Sequence, residues 1–334
     1  MTSPPLIHQR WPEVAVTLPH LPLGEAPTSV RPLAGLGCRS EVWLKDESGY
    51  GHGGWGGNKV RKLEWLLPGI RRGRPARTIL TVGGLGTNWG LTTALYARQH
   101  GLDVALALVD HPVDDHVRAQ LRRLRDSGAT LHFAHTKVRL LLAVPWLFAR
   151  HTRGLALPRY LPPGGSSPLG ALGYVECALE LAEQVAQGLL PEPGWVVTAV
   201  GSGGTAAGLA LGLRLAGLRT RVLGIVVNDT LRLDSTALTR LATKSRTLLR
   251  NRGARLPHVR LGADDIVTER GWLGPGYAHP TARARAALGL ASSEAGLELE
   301  LTYTAKALAA LLDLDAAGRF ADGPVVFLNT FGPR

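Results

Sequence analysis

Short apolar runs recur along this chain, and each breaks into a turn, often glycine-rich, and then into a helical pattern. Residues 77–82 (RTILTV) lead into GGLGTNWG at 83–90 and then helical spacing over 91–100. Residues 102–109 (LDVALALV) precede 116–127, whose apolar residues share one face. Residues 195–200 (WVVTAV) run into GSGGT at 201–205 and a helical stretch over 206–216; 221–227 (RVLGIVV) follows, and 324–329 (PVVFLN) comes near the end. Uninterrupted apolar strands alternating with helices imply parallel sheets covered on both faces. The runs form two groups, around 77–135 and 195–230, separated by a Pro/Gly-rich stretch at 161–173. This pattern predicts two α/β lobes, with a site where strand carboxyl ends meet helix N-termini. No internal repeat or low-complexity segment interrupts it.

Composition narrows the function classes. Of 334 residues, 45% are hydrophobic and 19% charged, enough apolar material for a packed core. The net charge of +12 raises nucleic acid or a membrane surface as partners. Against both, the positive charge is almost all arginine spread along the chain, with no basic block and no aromatic residues interleaved with it. No segment approaches the roughly 20 apolar residues of a membrane span; the longest, 140–148, is interrupted by Pro145. The first residues lack an apolar signal-peptide core. Two cysteines, Cys38 and Cys177, make neither a disulfide scaffold nor a zinc site. The expectation is a reducing cytoplasm, with no metal, nucleic acid or membrane partner.

Four glycine motifs could carry chemistry. In GGWGGNKVRKLE (53–64), Lys59 follows two glycines and an asparagine at the start of a predicted helix. Arg61 and Lys62 nearby would lower its pKa and expose a nucleophilic amine able to form a Schiff base with an aldehyde. The same residues also suit an ordinary glycine turn before a basic helix. In GSGGT (201–205), crowded backbone N–H groups at a helix start make an anion cradle, usually for phosphate. Gly201, Gly203 and Ala206 also fit G-x-G-x-x-A, the dinucleotide fingerprint, although its expected acidic partner, Asp229, comes 28 residues after Gly201. In GGLGTNWG, Thr87 and Asn88 offer a hydroxyl and an amide, or simply cap a helix. GGSSPLGALGY (164–174) is richer in glycine than a connector requires. His111 and His116 match no metal pattern and read as solvated, and Asp264–Asp265 reads as surface charge. No G-x-S-x-G nucleophile elbow is present.

Taken together, GGNKVRKLE, GLGTNWG, GGSSPLGALGY, GSGGTAAGL, GPGYAHPT (274–281), TYTAKALAALLDL (302–314) and FLNTFG (327–332) resemble the D-cysteine desulfhydrase / 1-aminocyclopropane-1-carboxylate deaminase family. These are pyridoxal-phosphate enzymes of fold type II, the tryptophan synthase β-like fold. The resemblance implies a two-lobed α/β protein, each lobe a mainly parallel sheet flanked by helices. A larger cofactor-binding domain would comprise 1–58 and 170–334, a smaller one 59–169, with the site in the cleft between them. It implies pyridoxal 5′-phosphate on Lys59, which would also shuttle the Cα proton. Gly201, Ser202, Gly203, Gly204 and Thr205 would hold the phosphate. Asn88 would bond the ring 3′-oxygen, and Thr330 would contact the ring nitrogen. Tyr303 would stand beside the ring as an active-site tyrosine, with Thr87 also catalytic, and Thr87, Asn88, Trp89 and Tyr277 would meet the substrate. A homodimer is implied as well.

Thr304 follows Tyr303 as in the desulfhydrase pattern, where the deaminases carry glutamate. The chain departs from the family at Gly86, Thr87 and Trp89, where relatives carry Q-S-N-H or Q-S-N-Q; Asn88 is kept. It departs again at Ser167, usually asparagine, and at Ala305, usually glycine. The indole of Trp89 is expected to shrink and dry the substrate pocket. The reading is a lyase performing β-elimination on a small amino acid, giving a keto acid and ammonia. The alternatives are an aminocyclopropane deaminase or related specialised amino-acid enzyme, a catalytically altered cofactor-binding protein, and an NAD-dependent oxidoreductase.

Overall fold

The structure is a computed structural model and describes residues 3–71, 77–321 and 323–333. Its strands are β1 (Val30–Pro32), β2 (Val42–Asp46), β3 (Gly56–Gly57), β4 (Thr78–Gly84), β5 (Asp103–Val109) and β6 (Thr130–His135). They continue with β7 (Arg159–Tyr160), β8 (Trp195–Val200), β9 (Arg221–Val226), β10 (Ile266–Glu269), β11 (Val325–Asn329) and β12 (Phe331–Gly332). The helices are α1 (Leu6–Arg10), α2 (Asn58–Leu66), α3 (Pro68–Arg71), α4 (Asn88–Gln99), α5 (Asp115–Asp126) and α6 (Lys137–His151). They end with α7 (Leu172–Ala186), α8 (Gly204–Leu215), α9 (Ser235–Asn251), α10 (Ala282–Ala295) and α11 (Thr304–Ala316).

Two parallel sheets carry the fold. A six-stranded sheet runs β1-β2-β11-β8-β9-β10, antiparallel only between β1 and β2. A four-stranded sheet runs β6-β5-β4-β7, parallel throughout. The apolar runs are its reason: β8, β9 and β11 are buried on both faces, with α7 and α8 packed into one core cluster and α10 and α11 into another. The five predicted strands fall on β4, β5, β8, β9 and β11, each within two residues at either end. Pro145 lies within α6, which runs on through it to His151.

Strand order reverses at two points. From β8 the chain moves outward to β9 and β10, while β11 returns on its other side, so Gly201 and Thr330 leave the carboxyl ends of adjacent strands. In the other sheet, β5 and β6 lie on one side of β4 and β7 on the other, which places the 83–87 turn at the reversal. Crevices at such points are where open α/β sheets bind ligands. β12 pairs with β3 just ahead of Lys59, Phe331 opposite Gly57, and so ties the chain after β11 to the start of α2.

Candidate active site

The turns after β4 and β8, the start of α2 and the segment after β11 border one cavity of about 440 Å³. Lys59, Thr87, Asn88, Trp89, Gly201, Ser202, Gly203, Thr205, Tyr277, Tyr303 and Thr330 all line it. Of the twelve predicted catalytic, cofactor and substrate residues only Gly204 does not: it is buried and donates its N–H to Ser166 Oγ at 2.9 Å.

Lys59 sits in the first turn of α2. The preceding Gly57 holds φ at +88°, and a Cβ there would meet the Thr330 carbonyl oxygen at 2.5 Å, so the helix can start this close to the strand end only on glycine. Lys59 Nζ donates to Asn58 Oδ1 at 2.8 Å, and Asn58 Nδ2 donates to Thr205 Oγ1 at 3.2 Å. Burial lowers the Lys59 ammonium to about 8, opposed in part by the Glu300 carboxylate. This corrects the expectation that Arg61 and Lys62 would depress it. Arg61 instead points away, to Glu47 and to Glu180 at 2.9 Å, and fastens α2 to the six-stranded sheet.

Lys62, one turn further along α2, is buried and donates to the Gly164 carbonyl at 3.1 Å. A Cβ at Gly204 would stand 3.2 Å from its Nζ, which places the amine against the 201–205 turn. Burial, and then the charge of Lys59, hold it well below the usual lysine range. The turn is glycine for steric reasons. Gly203 has φ +89° and caps α8, and a Cβ at Gly201 would strike the Tyr303 ring at 2.7 Å. Ser166, from the glycine-rich 164–174 motif, donates its hydroxyl to Ser202 Oγ at 2.8 Å and so docks that motif on the turn.

Thr87 caps α4, accepting the Gly90 N–H at 3.1 Å. Gln120 Nε2 donates to Asn88 Oδ1 at 2.6 Å, which leaves the Asn88 amide its N–H groups to offer a ligand. Trp89 borders the cavity as wall: it is 2% exposed, donates its ring N–H to Thr81 Oγ1 at 2.8 Å, and lies where a Cβ on Gly165 would meet the ring at 2.8 Å. Its ring is seated in the core beneath the 163–165 turn.

Tyr303 and Tyr277 meet hydroxyl to hydroxyl at 2.5 Å, and burial raises both phenols above their ordinary pKa. Glu300 accepts the N–H groups of Thr302, Tyr303 and Thr304 at 2.7–2.8 Å, which fixes Tyr303 at the head of α11. Burial raises the Glu300 carboxyl, opposed by those same hydrogen bonds. Asp229 accepts the Tyr277 N–H at 3.2 Å and is thereby committed to the loop that carries Tyr277.

The two histidines expected to be solvated are not. His111 lines the cavity, accepts the Gly86 N–H at 3.1 Å and packs edge-on against Tyr277, while His116 packs on Phe331. Asp265 pairs with Arg214 across α8 rather than serving only as surface charge. Asn58, Lys62, Ser166 and Glu300 are site residues that the sequence reading did not single out as such. For Lys62 a signal existed: it lies three residues after Lys59, hence on the same helix face, in a chain with only six lysines.

A half-buried amine of lowered pKa beside a glycine anion cradle, with a second lysine amine at the cradle and a hydroxyl and an amide facing it, suits an aldehyde that also carries a phosphate. Comparison with known proteins gives the same class. Residues 21–330 match the family model described as pyridoxal-phosphate dependent enzyme. The chain belongs to this family and is a pyridoxal-phosphate-dependent enzyme of fold type II. It is 33% identical over 287 residues to the D-cysteine desulfhydrase of Serratia proteamaculans, covering 83% of this chain and 82% of that one. It is 33% identical over 288 residues to the same enzyme of Yersinia enterocolitica, with the same coverage. Among solved structures, an ACC deaminase homologue superposes with a TM-score of 0.81 at 26% identity, covering 99% and 95% of the two chains. The family assignment displaces the dinucleotide reading of the 201–206 turn. Among the described residues, no helix is long and apolar enough to cross a membrane.

Proposed function

We propose that this enzyme performs β-elimination on a small amino acid, as a D-cysteine desulfhydrase does, releasing a thiol or sulfide, a keto acid and ammonia. The observation that carries the reading is Lys59, half-buried, with its amine lowered to about 8, in one cavity with the 201–205 cradle. Pyridoxal phosphate, when bound, supplies an aldehyde that condenses with amines and a ring that accepts the electron pair freed at Cα.

The protein's own residues do the rest. Gly201, Ser202, Gly203 and Thr205, with Lys62, hold the phosphate; the Gly204 N–H is engaged by Ser166 and contributes to the shape of the turn. Lys59 would carry the cofactor aldehyde, and its amine, when free and neutral, would be the base placed to take the Cα proton. Asn88 would orient the ring by donating to its 3′-oxygen, and Thr330 would meet the ring nitrogen; both line the cavity. Tyr303 and Tyr277 share one proton position at the substrate end, and Thr87 with Asn88 receives the substrate carboxylate. Thr304, where a deaminase would carry glutamate, is buried with its hydroxyl bonded to Glu300; this favours elimination over ring opening.

The division into 1–58 with 170–334 and 59–169 belongs to the same proposal. It is supported by the four-stranded sheet drawing its strands from 78–160 and the six-stranded sheet from 30–46 and 195–329. A homodimer is proposed too, on the exposed Leu142, Trp146, Leu155 and Leu157; its mass by sedimentation checks it. Two unpaired cysteines suit a reducing cytoplasm. The reaction is tested by supplying D-cysteine, L-cysteine and aminocyclopropane carboxylate to the cofactor-loaded protein. Sulfide and pyruvate in equal amounts from a cysteine support elimination, whereas 2-oxobutyrate from the cyclopropane acid would replace it with deamination.

A further inference from the structure

Besides the residues that would hold the cofactor, the cavity has an outer lining that reaches solvent. It includes Val82 and Val109, near the carboxyl ends of β4 and β5, with Leu140 and Leu141 of α6 and Leu231 after β9, interspersed with Asp110, His111, Lys137 and Thr230. Val82 and Leu140 pack together on the core cluster beneath α6, so this wall is anchored from behind. Lys137 Nζ donates to the Thr230 carbonyl at 3.3 Å and holds the first turn of α6 against the loop that carries Leu231. Leu141 is 72% and Leu231 38% exposed, although both border the cavity. A substrate as small as cysteine has no atoms with which to cover them.

We infer that this outer lining forms an apolar side-chain subsite, and that the substrate class is an α-amino acid with an apolar chain beyond its leaving heteroatom, of the S-alkylcysteine kind. The inference rests on the proposed elimination and specifies its substrate. The step balances without any further reactant than water. The Cα proton goes to Lys59, and the Cβ–S bond breaks with its electron pair on sulfur. The alkyl thiolate takes up a proton, and the remaining three-carbon unsaturated amine adds water to give pyruvate and ammonium.

The test uses the cofactor-loaded enzyme with S-methyl- to S-butyl-cysteine of both configurations. A calorimetric arm compares binding of alanine and 2-aminooctanoate, which have no leaving group and report on the subsite apart from turnover. The expected result is a rise of about fourfold per methylene in kcat/KM and in affinity, flattened in Leu141→Asp and Leu231→Asp. Both positions are exposed, and circular dichroism checks that each variant folds. A flat or falling series in wild type that still binds alanine overturns the subsite and leaves the elimination standing. So does a preference for chains ending in an anion, which would assign the outer lining to Lys137. Wild type that binds pyridoxal phosphate but no amino acid defeats the proposed function, and the subsite with it.

Discussion

Lys62 donates to the carbonyl of Gly164 across the floor of the cleft, 3.1 Å from Nζ to oxygen. The bond places the Lys62 amine, partly stripped of water, at the edge of the 201–205 turn, where an arriving phosphate would find it. Its lowered pKa follows from burial first and the nearby Lys59 second. A dianion in the cradle reverses that balance and recharges it. Removing the ammonium in Lys62→Met is therefore expected to weaken pyridoxal phosphate binding about 10- to 100-fold, the range for a hydrogen bond to a charged group. Binding of pyridoxal, which lacks the phosphate, is expected to change far less. Fluorescence titration of the apo-protein with both compounds measures the difference.

The amine of Lys59 sets a pH dependence. Its pKa falls from 10.5 to about 8, so the neutral, nucleophilic form is the minority below pH 8 and the majority above it. The rate at which apo-protein captures the cofactor aldehyde is expected to rise about tenfold per pH unit below 8 and to level off above it. An ordinary surface lysine would keep rising toward pH 10. Stopped-flow absorbance between pH 6 and 10 separates the two.

Glu300 organises the head of α11 by accepting three consecutive backbone N–H groups. Glu300→Ala leaves buried donors without partners and is expected to cost about 1–3 kcal/mol, together with displacement of Tyr303. Glu300→Gln keeps one accepting oxygen and is expected to recover part of the loss. Urea denaturation of the three proteins gives the order.

Arg61 is 0% exposed between Glu47 and Glu180, joining α2 to the residue that follows β2 and to α7. Truncation in Arg61→Met strands the buried Glu47 carboxylate and leaves Glu180 to Lys45. A loss of about 3–5 kcal/mol is expected, visible as a lower urea midpoint. The neighbouring Lys62→Met, which leaves no carboxylate without its partner, is expected to lose less.

Five strands, β4, β5, β8, β9 and β11, were legible because their runs of Val, Leu and Ile are largely buried and need no context. The glycine turns at 83–87 and 201–205 were legible because backbone that approaches a ligand tolerates no Cβ. β2 and β6 were not. β2 includes Lys45, whose buried charge is answered by Glu180, 135 residues away, and β6 is an edge strand with polar residues facing out. The same distinction divides the site. Residues defined by a local turn, such as Lys59, Asn88 and Gly203, could be named from the sequence. Glu300, Gln120 and His111 owe their places to partners on other elements, and Arg61 was assigned to the wrong neighbour because proximity in sequence is not direction in space.

The central claim is that Lys59 alone among the six lysines carries the cofactor. The direct measurement is borohydride reduction of the pyridoxal-phosphate-loaded protein, followed by peptide mass mapping beside Lys59→Ala. The account predicts a yellow wild type, bleached on reduction, with the added phosphopyridoxyl mass on the peptide containing Lys59, and a variant with no such adduct. An adduct on Lys62 with Lys59 unmodified, or a protein that stays colourless with excess pyridoxal phosphate, would contradict it.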